Sequence, residues 1–408
     1  MIALAKMIQR LLSARPKSPN ARPLSVDRHG ETARRRTRLL SLAAPLLALA
    51  VTACAGRLGP DALREAGDPP PGAQQVTIYV ATTRQRAFPD ANVFTADRGN
   101  GVAYAEFTVS LPPGHQSGKV EWPNPSPDPG STFAVVQQRT LDEAAFEAAV
   151  TRRRGDQPTK IGVFVHGYNT NFQEALFRMA QMSADARVDG PQILFAWPSE
   201  GRLSGYIADK DAATYSRDQL AALLTTLAKK PGVAKITVIG HSMGGWLTAE
   251  ALRQLRLTGQ DATIRRLKVV LAAPDIDADV FCQQMAVIGR LSPPLTVLVS
   301  RDDKALSVSG FVADQHVRVG AIDVRDPRVV EAARKYEVQV VDISSLDATD
   351  PLGHDRFIAL AALYPKLAAE AQSGDGGGLR QAGAYVFDTV GTTLASPFAM
   401  AGSAVAGQ

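Results

Sequence analysis

A serine between two glycines, at the end of an apolar run, is the part of this chain best suited to chemistry. Ile236-Thr237-Val238-Ile239 leads into Gly240-His241-Ser242-Met243-Gly244, a pattern that reads as strand, sharp turn and helix. Gly240 and Gly244 let the backbone bend tightly. The Ser242 hydroxyl then stands clear of the sheet, and the next backbone N–H faces the same space. From Met243 to Arg253 apolar side chains recur at helical spacing, as the helix after such a turn requires. A serine hydroxyl is a weak nucleophile, so it needs a base, an acid that orients the base, and donors for a developing oxyanion.

The chain offers each of these in order. His354, in Leu352-Gly353-His354-Asp355, follows the last predicted strand and is the candidate general base. Asp303, in Ser300-Arg301-Asp302-Asp303, lies just past the predicted strand Leu295–Val299 and is the candidate orienting acid. Asp302 and Asp275 are neighbouring carboxylates, and Asp275 reads better as a loop-capping acid. For the oxyanion, Val165-His166-Gly167-Tyr168-Asn169 ends an earlier strand. The backbone N–H groups of Tyr168 and Met243 are the expected donors, each commonly worth about 3 kcal/mol. His166 fits a structural imidazole bonded to nearby backbone better than a second base. Tyr206, Trp197 and Trp246 are candidates to line a pocket, although aromatics near a core more often pack. No Cys/His cluster has metal-ligand spacing and no glycine loop matches a phosphate cradle, so neither cofactor nor metal is expected.

These residues need a scaffold that brings distant loops to one end. Short apolar segments recur at Ile161–Val165, Ile193–Trp197, Ile236–Ile239, Val269–Ala273, Leu295–Val299 and Val338–Val341, separated by stretches long enough for crossover helices. Helices are predicted over Glu174–Asp185, Asp211–Lys229, Gly245–Leu257 and Phe357–Gln372. Val76–Val80 and Val102–Val109 alternate or cluster β-formers and are expected as antiparallel edge strands. The fold class is therefore α/β: a mostly parallel, doubly wound sheet with helices on both faces. The order serine, acid, histidine is that of the α/β-hydrolase fold.

Charge divides the chain. Its 408 residues hold 45 Lys/Arg and 40 Asp/Glu, but residues 1–53 account for ten and two of these, leaving 35 and 38 for the rest. The basic character belongs to the leader, and a nucleic-acid reading loses its support. Arg34-Arg35-Arg36-Thr37-Arg38, an apolar stretch from Leu39 to Ala50, and Val51-Thr52-Ala53-Cys54 have the order of an export signal. The last four residues resemble the lipobox of bacterial lipoproteins, in which the cysteine becomes the lipidated first residue. Residues 1–53 are thus expected as a signal peptide, 54–74 as a lipid-anchored tether, 75–372 as the catalytic domain and 373–408 as a Gly/Ala-rich tail. The expected location is the bacterial cell envelope, at the outer membrane facing the periplasm. With Cys54 lipidated, Cys282 has no disulfide partner and reads as a buried small hydrophobe.

Taken together, Gln75–Val80, Pro112-Pro113-Gly114-His115, Val163–Thr170, Phe195-Ala196-Trp197-Pro198-Ser199, Gly240–Gly244, Ala273–Asp277 and Ser300–Leu306 resemble a bacterial family of α/β-hydrolases known as domain of unknown function 900. The resemblance covers roughly residues 75–365. It implies an esterase- or lipase-like hydrolase acting on a small-molecule or lipid ester, without defining the substrate. By similarity to the family's S-x-x-D-x-A-L pattern, Asp303 rather than Asp302 takes the acid role. The same machinery acting on amides, peptides or thioesters is one alternative, and a non-catalytic envelope lipoprotein using the fold for binding is another. Replacing Cys54 by Ser is expected to release the protein from the membrane fraction or leave it unprocessed. Mass spectrometry of the mature N-terminus checks this, and an unlipidated terminus at another residue would rule it out.

Overall fold

The computed structural model describes residues 57–123, 126–152, 158–312 and 316–363. Nine strands form one sheet: β1 (Gln74–Arg86), β2 (Phe94–Leu111), β3 (Ala134–Leu141), β4 (Thr159–Val165), β5 (Gln192–Ala196), β6 (Val233–His241), β7 (Leu267–Ala272), β8 (Thr296–Val299) and β9 (Gln339–Asp342). Their order is β3-β2-β1-β5-β4-β6-β7-β8-β9. From β1 to β9 every neighbouring pair is parallel, and β2 runs antiparallel to β1 and β3. The sheet is the mostly parallel one that the apolar spacing predicts, with antiparallel strands at the N-terminal edge.

The crossovers are α1 (Glu143–Thr151), α2 (Phe172–Ala186), α3 (Tyr206–Tyr215), α4 (Arg217–Lys229), α5 (Met243–Leu257), α6 (Asp261–Ile264), α7 (Ala278–Ile288), α8 (Lys304–Val312) and α9 (Pro327–Tyr336). Local chemistry starts several of them. At α2, Asn171 Oδ1 accepts from Glu174 N while Glu174 Oε2 accepts from Asn171 N, a reciprocal cap that satisfies two end donors. Asp142, Asp277 and Asp326 cap α1, α7 and α9. Among the described residues no helix is long and apolar enough to cross a membrane.

Helices cover both faces, so central strands bury alternate residues in two separate cores. Ile161, Val163 and Val165 of β4 pack with Leu220, Leu224 and Leu227 of α4 and Leu247 of α5. Phe164 faces the other way, with Phe172, Leu176 and Phe177 of α2 and Phe357. Each fully buried side chain of this size contributes about 1.5–3 kcal/mol. From β4 the chain steps to β5 through α2 on one face. It then returns across β4 to β6 through α3 and α4 on the other. The winding reverses there, and the carboxyl ends of β4 and β6 flank the crevice where ligands bind in open α/β sheets.

Four sequence expectations need correction. The strand at Val76–Val80, expected at an antiparallel edge, is interior: β1 pairs in parallel with β5 on one side and antiparallel with β2 on the other. Part of the tether predicted over 54–74 is seated on the folded domain. Residues 60–63 form a 3₁₀ turn whose Ala62 and Leu63 are buried in the α2-side core, and Ala66 N donates to Val135 O at 2.9 Å. The helix predicted over Asp211–Lys229 starts at Tyr206 and divides at Ser216, which is fully buried and bonded through Oγ to Ala212 O and Thr83 Oγ1. Cys282 is partly exposed rather than buried; it edges a cleft of about 660 Å³ between α7 and α9. The sheet also holds a strand absent from the sequence reading, β3. Of the predicted helix Phe357–Gln372, residues 357–363 are helical. The rest of it, the leader through residue 53, Cys54 and the tail 373–408 lie outside the described residues.

One glycine controls how closely these layers approach. A Cβ on Gly244 would collide with the carbonyl oxygens of Val165 and His166, which are backbone atoms unable to yield. Gly244→Ala is expected to lower stability by about 1–3 kcal/mol. Gly101→Ala, where nothing lies within 4 Å, should stay within about 1 kcal/mol of the parent. Thermal or urea melts of the two variants check this.

Candidate active site

Ser242 sits between β6 and α5 with φ 53° and ψ −122°. This backbone conformation costs a non-glycine residue about 1–3 kcal/mol and persists only where its surroundings impose it. Here they do. Ser242 N donates to Ala272 O at 2.9 Å, and Ser242 O accepts from Gly245 N at 2.9 Å and Asp275 N at 3.1 Å. A Cβ on Gly240 would meet Thr248 Oγ1 at 2.5 Å and Gly244 O at 2.7 Å, so both glycines of the motif are required by contact as well as by the turn. The end of β4 closes in from the other side: a Cβ on Gly167 would lie 3.0 Å from Ser242 Cβ. Tyr168 and Met243, the residues singled out for oxyanion donors, therefore lie on the two strand ends that meet at Ser242. Met243 is the first residue of α5, where N–H groups have no intrahelical acceptor and the helix dipole favours negative charge.

His354 and Asp303 are brought together. His354 Nδ1 bonds Asp303 Oδ2 at 2.6 Å, with Asp303 fully buried and the His354 side chain 17% exposed. Asp303 Oδ1 accepts from Leu306 N at 2.9 Å. The loop that carries His354 is folded around Asp350, whose Oδ1 accepts from His354 N at 2.7 Å and Asp355 N at 2.9 Å. Burial opposes charging His354. Its hydrogen bond to Asp303, and the negative charges of Asp303, Asp350 and Asp275, outweigh burial and raise its pKa above the ordinary 6.5.

The competing acids are occupied elsewhere. Asp302 is 59% exposed and pairs with Arg356, so adjacent carboxylates point to opposite sides of one turn. Asp275 is buried, but Tyr206 OH donates to its Oδ2 at 2.9 Å, Ser309 Oγ donates to its Oδ1 at 2.6 Å, and Arg318 Nε lies 3.3 Å away. His166 is enclosed too: Nδ1 lies 2.9 Å from Gly167 O and Nε2 3.1 Å from Trp197 O, and its ring stacks on Trp197 at 4.9 Å. Burial and the charge of Arg84 lower its pKa to about 3. Trp197 is fully buried and donates Nε1–H to His166 O at 2.7 Å, so it packs the core. Tyr206 and Trp246 are partly buried beside the site.

Sequence reasoning missed the residues that hold the loops. Asp209, fully buried, accepts from Ser199 Oγ at 2.6 Å, Glu200 N at 2.7 Å and Asn169 N at 3.3 Å. Arg84, also buried, reaches Thr170 O at 3.0 Å from a register shift in β1, the kind of bulge that re-aims a side chain. Ser309 and Arg318 complete the cluster around Asp275. A charged residue inside an otherwise β-forming run, as Arg84 is in β1, was the one available signal. The others depend on contacts across the fold.

An uncharacterized Nostoc protein is 39% identical over 61 residues, which make up 15% of this chain and 16% of that protein. One of two fungal esterases from Rhizomucor miehei is 13% identical with a TM-score of 0.32, over 90% of this chain and 96% of that one. An α/β hydrolase from a Medee basin deep-sea metagenome library is 15% identical with a TM-score of 0.27, over 75% of this chain and 99% of that one. The sequence profile of a hydrolase family covers residues 142–371, from the start of α1 through the loops of Ser242, Asp303 and His354. The chain belongs to that family, the α/β hydrolases of unknown function DUF900.

Proposed function

We propose that the protein is a serine esterase. Ser242 Oγ attacks the carbonyl carbon of a carboxylic ester as His354 Nε2 takes the hydroxyl proton. The ester's alkoxide leaves with that proton, and an acyl-Ser242 intermediate remains. Water, deprotonated by the same nitrogen, then releases the acid and restores the serine. Asp303 holds the ring through Nδ1 and balances the imidazolium. The N–H groups of Tyr168 and Met243 and the N-terminus of α5 stabilise the tetrahedral oxyanion. The observation that carries the reading is the 2.6 Å Asp303–His354 bond beside a serine held at φ 53°. On the same reading Cys54 carries lipid and anchors the enzyme at the periplasmic side of the outer membrane.

The rim supports an ester with an apolar part. Eleven large apolar side chains are exposed among the described residues, and five of them, Leu203, Ile207, Val308, Phe311 and Leu352, lie on the segments around the site. Leu203 O accepts from Tyr168 OH, Ile207 follows Tyr206, Val308 precedes Ser309, and Leu352 O accepts from Lys304 N at 2.9 Å. Such clustering marks surfaces that meet apolar ligands.

Single-variant kinetics on short acyl esters test the mechanism, with folding followed by thermal melts. Ser242→Ala and His354→Ala should abolish turnover. Asp303→Asn should reduce it by up to about 10⁴-fold, far more than Asp302→Asn or Asp275→Asn. Because the base must be neutral and its pKa is raised, the wild-type rate should fall with acid through a midpoint above 6.5, and Asp303→Asn should move that midpoint down. Wild-type-like turnover by Ser242→Ala, or by folded Asp303→Asn, would overturn the assignments.

A further inference from the structure

The residue just before the serine is a second histidine, and the mechanism above gives it no task. His241 ends β6. Its Nε2 lies 3.3 Å from His354 O, and its ring centroid lies 4.7 Å from that of His354 and 4.5 Å from that of Phe357. A Cβ on Gly167 would come within 2.9 Å of its Nδ1. One imidazole thus touches the backbone of the base and the end of β4, and it is joined by a peptide bond to Ser242.

The chemistry of the contact fixes the tautomer. A carbonyl oxygen only accepts, so the bond to His354 O requires the proton on Nε2. Burial, then the neighbouring charge of His354, keeps His241 from protonating and pushes its pKa well below the ordinary 6.5. The bond to His354 O opposes that shift, Arg178 adds to it, and Asp350 opposes it. His241 is therefore a neutral donor through Nε2, and its remaining lone pair, on Nδ1, lies on the side of Gly167. His354 needs such a donor. It follows Gly353 at φ 73° in a loop without regular structure. Asp303 ties its ring and Asp350 ties its N–H, which leaves the carbonyl as the remaining backbone group to hold.

We propose that His241 is a positioning residue for the base: its Nε2–H, given to His354 O, fixes the main chain of His354 relative to Ser242. The strand that presents the nucleophile then sets the place of the base as well, and the distance between the two no longer depends on a free loop. This rests on the reading of His354 as base.

Two substitutions separate the donor from the packing. His241→Phe keeps a flat ring against His354 and Phe357 but has no N–H, whereas His241→Gln offers a side-chain N–H of similar reach. Short-ester kinetics on wild type, His354→Ala and both His241 variants are measured across pH. His241→Phe should lower kcat about 10–100-fold, the scale of an ångström-sized misplacement. KM should change little, and the loss should persist at high pH, where the base is neutral in every variant. Fluorophosphonate labelling of Ser242 should slow in proportion. His241→Gln should recover most of the rate. Wild-type kcat in folded His241→Phe, or equal losses in the Phe and Gln variants, would overturn the positioning role while His354→Ala remains inactive. Wild-type turnover by His354→Ala would instead remove the reading beneath it. Should His241→Phe fail to fold, His241→Met, which also lacks the donor, makes the same comparison with Gln.

Discussion

The packing of one helix end against one strand end governs this site. The first turn of α5 lies so close to the end of β4 that no side-chain atom fits between Gly244 and the carbonyls of Val165 and His166. The same closeness brings Gly167 against Ser242 and confines the turn at Gly240. Those contacts hold Ser242 at a positive φ that an unsupported serine would abandon. They also bring the residue after the end of β4 against the turn that carries Ser242. The strain in the turn and the close approach of the two strand ends thus have a single origin, and the two apolar cores that clamp β4 and β6 supply the energy that holds it.

Around this turn, buried charge is sorted by its partners. Asp303 and Asp275 both follow carboxyl ends of parallel strands and both are buried. Asp275 accepts from Tyr206 and Ser309 and pairs with Arg318, so its oxygens are engaged by groups other than His354. Asp303 has a backbone N–H on one oxygen and His354 on the other. A buried carboxylate that lost one of these two partners would be costly, so Asp303 and His354 stabilise each other in place. The cluster at Asp275 joins α3, through Tyr206, to α8, through Ser309, across the mouth of the crevice. The negative charge of Asp275 also helps raise the pKa of His354.

Much of this was legible in the residues. Six apolar segments at regular spacing gave the six parallel strands β4 to β9, because strands covered on both faces leave continuous apolar runs. The Gly240–Gly244 motif marked the turn, since glycine there answers to sterics that are local in sequence. Adjacent Asp302 and Asp303 were told apart by similarity to the family's S-x-x-D-x-A-L pattern, and the structure separates them by burial. What stayed hidden depends on distant contacts. Ser216 kinks a helix whose periodicity runs on unbroken, because its hydroxyl meets Thr83, 133 residues away. Residues 58–66 have the Gly, Pro and Ala content of a linker, yet Ala62 and Leu63 are buried and, with Leu58, pack into the core shared with β3 and α2. His241 reads as an incidental residue in the motif until the loop of His354 arrives beside it.

The N-terminal ribbon shows why the functional unit is larger than the stretch the family profile covers. That stretch begins at 142, after β3. Yet β1 is an interior strand, paired in parallel with β5 from Ile78 to Thr82, and its Ile78 and Val80 lie in the same core as Phe164, Leu176 and Phe177. Without it, β5 would present an open edge, with unpaired backbone groups that invite association, and α2 would lose the floor it packs on. The site depends on it as well. Arg84 leaves β1 at a register shift and bonds the carbonyl of Thr170, which follows Tyr168 and Asn169 in the loop that borders Ser242. Burial lowers its guanidinium pKa to about 10, with Asp209 and Glu174 opposing the shift, so it remains a cation at neutral pH and holds that loop from beneath. The turn at Ser242 is built by β4 and β6, but the loop facing it is held in place from β1.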